Sequence, residues 1–280
     1  MLLRRAARCL HPLNLRHRPP THREPGMHRN ETADVVFLLD VDNTLLDNDR
    51  IVADLRRHLE AAFGRASSAR YWAAFEALRT ELGYADYLGA LQRYRADADH
   101  GDCDDRQLLL TSSFLIDYPF AERLYPRALE VVAHLGRVGK TVILSDGDVV
   151  FQPRKVQRSG LWDAVGGRVL IFVHKEQMLD AVQRQHPARH YVMVDDKQRL
   201  LAATKAVLGD RLTTVLPRQG HYALDPANAR LYPAADITVE CIGDLLGVVD
   251  TAWFDQSASP ASTTGRSQTA SLAPRSSSGA

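Results

Sequence analysis

Short apolar runs that stop abruptly at polar residues recur along the chain, and they restrict the fold more than any other feature. Residues 35–39 are apolar throughout and end at Asp40-Val41-Asp42-Asn43-Thr44. A run that short and that continuous suits a strand buried on both faces, as in a parallel sheet. The same arrangement returns at 141–144 before Ser145-Asp146-Gly147, at 169–173 before His174-Lys175, and at 191–194 before Asp195-Asp196. Two more runs follow at 212–216 and 237–239. Between them lie helical patterns: 128–138 after Pro126, a short one after Pro153 that stops at Gly160, 176–185, and 197–208 before Gly209. Proline at the start and glycine past the end are what helix termini favour. The alternation predicts a doubly wound α/β fold with a parallel sheet, whose ligands bind outside the carboxyl ends of the strands.

Residues 48–119 break the alternation. Ile51, Leu55, Leu59 and Phe63 are spaced four apart before Gly64, and Trp72, Phe75, Leu78 and Leu82 three or four apart before Gly83. Tyr87, Leu91 and Tyr94 continue the pattern. These spacings predict amphipathic helices with no strand between them, an all-helical insertion between the first two strands. Tyr71, Trp72, Phe75 and Tyr84 are candidates for a pocket wall, although an aromatic stripe at helical spacing more often packs in a core. Asp102-Cys103-Asp104-Asp105 lacks the glycine and distal glutamate of a calcium loop and reads as solvated.

The ends differ from the rest. Residues 1–30 hold seven arginines and four histidines against Glu24 as their only acid. They carry four prolines and no apolar periodicity, so 1–33 are expected to be a disordered basic extension. The absence of serine there disfavours a transit peptide, and the interrupted apolar stretch near Leu10 disfavours a secretory signal. Residues 255–280, rich in Ser, Thr, Ala, Pro and Gly, are expected to be a disordered tail. The core is then 34–47 plus 120–254, with 48–119 inserted.

Charge excludes whole classes of function. Lys plus Arg total 35 against 34 acids, a formal charge of +1, which gives no electrostatic reason to bind nucleic acid. No stretch approaches the roughly 18 apolar residues of a membrane span. Cys9, Cys103 and Cys241 are far apart and form no CxxC pair, so the expected compartment is reducing and cytoplasmic. Only five of the 35 basic residues are lysines, which makes each worth inspecting.

The chemistry-bearing residues cluster at the strand ends. A buried strand delivers Asp40 to its carboxyl end, where a carboxylate can act as nucleophile, and Asp42 on the following loop can face the same spot. Carboxylates crowded together must be neutralised. Hard oxygen ligands suit Mg²⁺, which takes one or two carboxylates and completes its shell with phosphate and water. Asp195 and Asp196, at another strand end, supply further acid.

With these clusters in place, the chain resembles the haloacid dehalogenase-like (HAD) superfamily, in its Mg²⁺-dependent phosphatase branch, over roughly residues 34–254. The first motif of that family is similar to Asp40-Val41-Asp42-Asn43-Thr44, the second to Ser145, the third to Lys175 and the fourth to Asp195-Asp196, in matching order and spacing. The resemblance implies a Rossmann-like core under a helical cap. It implies Asp40 as a nucleophile that forms an aspartyl-phosphate, and Asp42 as general acid and base. Mg²⁺ would lie among Asp40, Asp42 through its backbone carbonyl, and Asp196, with Asp195 in an outer position. Ser145 and Lys175 would hold phosphate oxygens, with Thr44 in the phosphate site orienting the first loop. Asp146 departs from the asparagine common in relatives and adds negative charge, and Arg199 and Leu200 stand where a further acid is often found. The implied function is hydrolysis of a small soluble phosphorylated metabolite. The alternatives are a phosphotransferase or mutase, or a non-catalytic metal- and phosphate-binding module. Dehalogenase relatives lack the second acid of the first motif, which is present here as Asp42. Arg154 and Lys155 read as ordinary helix-face charges.

Overall fold

The computed structural model describes residues 32–97, 104–248 and Trp253. The expected N-terminal extension up to residue 31 and the tail at 255–280 lie outside the described residues, as do Cys9 and Cys103. Six strands form one sheet: β1 (Ala33–Leu39), β2 (Lys140–Asp146), β3 (Val169–Phe172), β4 (Ala188–Val194), β5 (Leu212–Pro217) and β6 (Ile237–Val239). Their order is β3-β2-β1-β4-β5-β6 and every pairing is parallel. Each apolar run of the sequence is one of these strands, and β1 is buried on both faces. Val35, Phe37 and Leu39 enter one core, while Val36 and Leu38 enter the other. That period-two split across a fully apolar strand is what a sheet covered on both sides demands.

The helices in chain order are α1 (Asn48–Leu82), α2 (Tyr87–Asp97), α3 (Asp105–Asp117), α4 (Ala128–Val138), α5 (Phe151–Arg158), α6 (Leu161–Ala164), α7 (Leu179–Gln185), α8 (Gln198–Leu208), α9 (Gly220–Leu224) and α10 (Pro226–Leu231). Helices α4, α5 and α6 contribute Val131, Val132, Leu135, Val156 and Leu161 to the core on one face of the sheet. Helices α7 and α8 contribute Leu179, Val182, Leu200 and Leu201 to the other. The fold is therefore doubly wound. Strand order reverses between β1 and β4, and the crevice at such a reversal is where ligands bind in sheets of this kind. Asp40 follows β1 and Asp195-Asp196 follow β4, so the acids flank that crevice.

The segment between β1 and β2 is helical, as its spacing predicts. Two helical stretches that the sequence separates at Gly64 run together as α1, with Gly64 itself at φ 81° and ψ 165°, outside helical geometry. The apolar face of α1–α3 joins the sheet's core through Ile51, Leu55, Tyr71, Phe75, Leu91 and Leu115. The 176–185 pattern divides into a 3₁₀ turn, Lys175–Gln177, followed by α7. Helix α5 starts before Pro153, which its first turn accommodates because the missing N–H has no intrahelical partner there. Asp104, expected in a solvated loop, caps α3 by accepting from the Arg106 backbone N–H, and Asp105 lies in the first turn.

Gly83 ends α1 at φ 79°, and a Cβ there would sit 2.7 Å from His174 Cε1. The insertion thus meets the loop after β3 through a residue with no side chain. Gly83→Ala should lose about 1–2 kcal/mol from the left-handed backbone alone, read as a lower urea midpoint at unchanged slope. An unchanged midpoint would overturn this expectation, because relief of the His174 contact leaves the backbone cost in place. Among the described residues, no helix is long and apolar enough to cross a membrane.

Candidate active site

Backbone pairing carries the first acid into place. The Asp40 N–H donates to the Val194 carbonyl at 3.0 Å, which sets the end of β1 against the end of β4. Asp40 is 3% exposed, and both of its carboxylate oxygens are engaged. Oδ1 accepts from Lys175 Nζ at 2.5 Å, and Oδ2 accepts from the Thr44 hydroxyl at 3.2 Å. Thr44 in turn accepts the Asp196 backbone N–H at 3.0 Å. One buried hydroxyl therefore links the first loop to the acids after β4, and its donor is spent on Asp40 instead of facing the cavity.

Lys175 is fully buried and reaches Asp40 and Asp195 together, with its Nζ 2.6 Å from Asp195 Oδ2 and 3.3 Å from the Leu144 carbonyl. Burial works against its charge, but the carboxylates of Asp195, Asp40 and Asp146 outweigh burial and hold the ammonium well above its ordinary range. Asp146 has a defined place: its Oδ1 accepts the Lys175 backbone N–H at 2.8 Å. Burial raises the Asp146 pKa, and the charge of Lys175 partly offsets the rise. Ser145 follows Leu144 on β2 and accepts from the Gln152 side chain at 2.9 Å.

The two acids after β4 differ in how they are satisfied. Asp195 Oδ1 accepts the Lys197 backbone N–H at 2.8 Å and Oδ2 pairs with Lys175. Burial lifts its pKa to about 6, with Lys175 opposing and Asp40 reinforcing the rise. Both Asp196 carboxylate oxygens are buried with no hydrogen-bond partner. Its pKa is pushed well up by burial and by the charge of Asp195. Buried polar atoms are rarely left without partners, and an orphaned carboxylate beside two others forms a donor set that a cation could satisfy. Ligand atoms of Asp40, Asp195 and Asp196 lie within 4.8 Å of one another. The donor set is all oxygen and fits a hard divalent ion.

Above these groups opens a cavity of about 1030 Å³, with Asp42, Asp146, Asp196 and Lys197 at its base. Trp72, Phe75, Glu76, Arg79 and Tyr84 of the helical insertion form one wall, facing His221 and Tyr222 of α9. Of the aromatic candidates, Tyr71 packs in the core while Trp72, Phe75 and Tyr84 line the cavity. Asp42 stands on the first loop, whose bend is set by Asn43 at φ 59°. The Asn43 side-chain carbonyl accepts the backbone N–H groups of Asn48 and Asp49, fastening the loop to the start of α1.

Three lysines of the site come from only five in the chain. Lys175 was expected. Lys197 lines the cavity, and although burial opposes its charge, Asp40 and Asp196 hold its pKa up. A cation directly after the acid pair at a strand end is the signal that would have pointed to it. Lys155, read as a helix-face charge, is instead 1% exposed and pairs with Asp42 at 2.7 Å. Helix α5 turns that residue inward, which its neighbours in sequence do not reveal. Arg154 does behave as a helix-face charge, pairing with Asp117 at 3.6 Å near solvent. Cys241 bonds Asp244, and His190 bonds Thr213.

Comparison with known proteins gives these features a family. The haloacid dehalogenase-like hydrolase family matches residues 35–207. A crystal structure of a protein named for the same family, from Burkholderia xenovorans LB400, is 66% identical, covers 77% of this chain and 99% of its own, and superposes with a TM-score of 0.73. The chain is a member of the haloacid dehalogenase-like hydrolases. One further solved structure shares the fold at lower identity. A haloacid dehalogenase-like family hydrolase from Xanthomonas campestris is 18% identical, with 79% of this chain and 91% of that one covered and a TM-score of 0.55. L-2-haloacid dehalogenase from Xanthobacter autotrophicus is 21% identical, with coverages of 76% and 96% and a TM-score of 0.47. A comparison with curated proteins gave no match. Within this HAD-like hydrolase, Asp40, Thr44, Lys175, Asp195 and Asp196 meet directly, Ser145 lies one residue beyond the Leu144 carbonyl that Lys175 contacts, and Asp42 faces the cavity beside them.

Proposed function

We propose that this HAD-like hydrolase is a Mg²⁺-dependent phosphomonoester hydrolase acting on a small soluble phosphorylated metabolite, with α1–α3 serving as a cap over the site. The observation that carries the reading is Asp42: a second carboxylate, 26% exposed, lining the cavity two residues beyond the buried Asp40. Carbon–halogen hydrolysis has no need of an acid there. Breaking a phosphomonoester does, because its leaving oxygen must take up a proton.

In the first step a carboxylate oxygen of Asp40 forms a bond to phosphorus as the ester P–O bond breaks, and Asp42 gives its proton to the departing oxygen. In the second, water attacks the same phosphorus and loses a proton to Asp42. The Asp40–phosphorus bond breaks, and Asp40 is returned as carboxylate with free phosphate. Lys175 and Thr44 keep Asp40 in one orientation through both steps. Ser145 and Lys197 are suited to hold phosphate oxygens once the substrate displaces their present contacts. Asp40, Asp196 and the Asp42 backbone carbonyl would hold Mg²⁺, with Asp195 behind them. The ion supplies charge neutralisation, so that an anionic substrate can approach an anionic nucleophile.

A panel of phosphomonoesters incubated with Mg²⁺, with and without chelator, tests the proposal, with 2-haloacids assayed in parallel. Metal-dependent phosphate release and no halide release are expected. Halide release without phosphate release would overturn the reading. Phosphate that appears only with an added sugar acceptor, as a transferred group, would indicate a phosphotransferase instead.

A further inference from the structure

Lys155 has no part in the reaction as set out above, yet its placement is demanding. The side chain is 1% exposed, whereas its partner Asp42 is 26% exposed and borders the cavity. Asp42 could be hydrated there without any lysine, so the buried cation is not needed to neutralise a buried anion. Removing an ammonium from water has a cost that a surface ion pair does not. Lys155 Nζ lies 2.7 Å from Asp42 Oδ1 and 3.1 Å from Asn48 Oδ1, and 5.1 Å from the Phe151 ring centroid. Asn48 is itself fixed on two sides. Its backbone N–H donates to Asn43 Oδ1, and its side chain is close enough to the buried Tyr87 of α2 to favour that residue's phenolate. Tyr87 in turn packs on Phe151, with ring centroids 5.3 Å apart. The ammonium is thus held by parts of the first loop, α1, α2 and α5, and it grips one oxygen of Asp42 from behind.

We propose that Lys155 is a positioning residue that fixes the rotamer of Asp42, leaving the second carboxylate oxygen to face the leaving group. The proposal rests on the reading of Asp42 as proton donor. Lys155 itself touches neither substrate nor the reacting atoms. Its loss should therefore matter most where a proton is most needed, and hardly at all for substrate binding.

The test compares p-nitrophenyl phosphate, whose leaving group departs as a stable anion, with phenyl phosphate, whose more basic leaving oxygen requires protonation. For Lys155→Met, kcat/KM for phenyl phosphate should fall about 100-fold or more, within the range for general acid catalysis. The fall for p-nitrophenyl phosphate should stay below about tenfold, with KM nearly unchanged for both. Lys155→Arg should recover part of the loss. If Lys155→Met fails to fold, Lys155→Gln, which keeps a polar head without the charge, carries the same comparison. Equal losses on both esters, or a rise in KM alone, would overturn the proposal. A crystal structure of the variant gives a readout independent of turnover: the Asp42 carboxylate should leave its present position, and an unmoved carboxylate would overturn the proposal. Wild-type protein inactive on both esters would count against the hydrolase reading, while the variant's structure would still decide the role of Lys155.

Discussion

Asp40→Asn is expected to abolish phosphate release while the protein remains folded. The substitution keeps shape and volume but removes the anionic oxygen that attacks phosphorus. Losses on removing a catalytic nucleophile are commonly at least about 10⁴-fold, because no neighbouring group can take over the covalent step. Here the alternatives are poor. Asp195 is pinned by Lys175 and by the Lys197 backbone, and Asp196 lies beyond the Thr44 hydroxyl. Stability should not follow activity down. Asp40 shares Lys175 with Asp195 and repels both acids after β4, so the amide leaves Lys175 one full partner and relieves the crowding. A melting temperature no lower than that of the parent, together with lost turnover in a phosphate-release assay, is the expected pair of results. Retained turnover would remove Asp40 from its assigned role, and lost turnover through unfolding would leave a denatured circular-dichroism spectrum.

The legible part of this site was written in strand ends. A five-residue run such as 35–39 is short enough to suit a strand better than a helix, and its uniform apolarity requires cover on both faces, so the position of Asp40 at a strand end was legible. The Asp195-Asp196 pair was legible for the same reason, and Lys175 through its likeness to the family's third motif. What could not be read was direction. Lys155 sits one residue after the half-buried Arg154 on an eight-residue helix, and only the packing of α5 against Tyr87 and Phe120 decides which of the two turns inward. The segment after β5 was silent too. Gln219 bonds the Thr44 carbonyl at 3.0 Å and the His221 N–H bonds Asp49, contacts between residues more than 170 positions apart. Gly220, at φ 69°, is there because a Cβ would meet Asn43 Cβ at 2.4 Å. Such close approaches depend on tertiary placement, to which local periodicity is blind. The break at Gly64 was visible, but its consequence was not, since the chain resumes its helix beyond it.

Magnesium should stabilise the protein, and more so at pH 7 than at pH 5. Burial raises the Asp195 pKa to about 6, and burial together with Asp195 lifts Asp196 further, whereas in the unfolded chain both carboxyls titrate near the ordinary aspartate value of about 4. Between those limits the folded, metal-free protein binds more protons than the unfolded chain. Its stability therefore falls as pH rises from about 4 through about 6. A cation that occupies the triad replaces those protons, so its effect is greatest where the carboxylates would otherwise be charged and uncompensated. At a hundredfold excess over Kd, binding to the folded state alone contributes about 2.7 kcal/mol, or roughly 5–10 °C for a domain of this size. Asp196→Asn should remove most of that response, because it alters the acid of the triad whose two buried oxygens have no hydrogen-bond partner. The same variant should melt higher than the parent in chelator at pH 7, since a neutral amide no longer repels Asp195. Thermal melts at the two pH values, with Mg²⁺ and with chelator, separate these effects. A melting temperature indifferent to Mg²⁺ at pH 7 would mean that the crowded carboxylates are neutralised by protons and lysines alone, and the metal would have to leave the account.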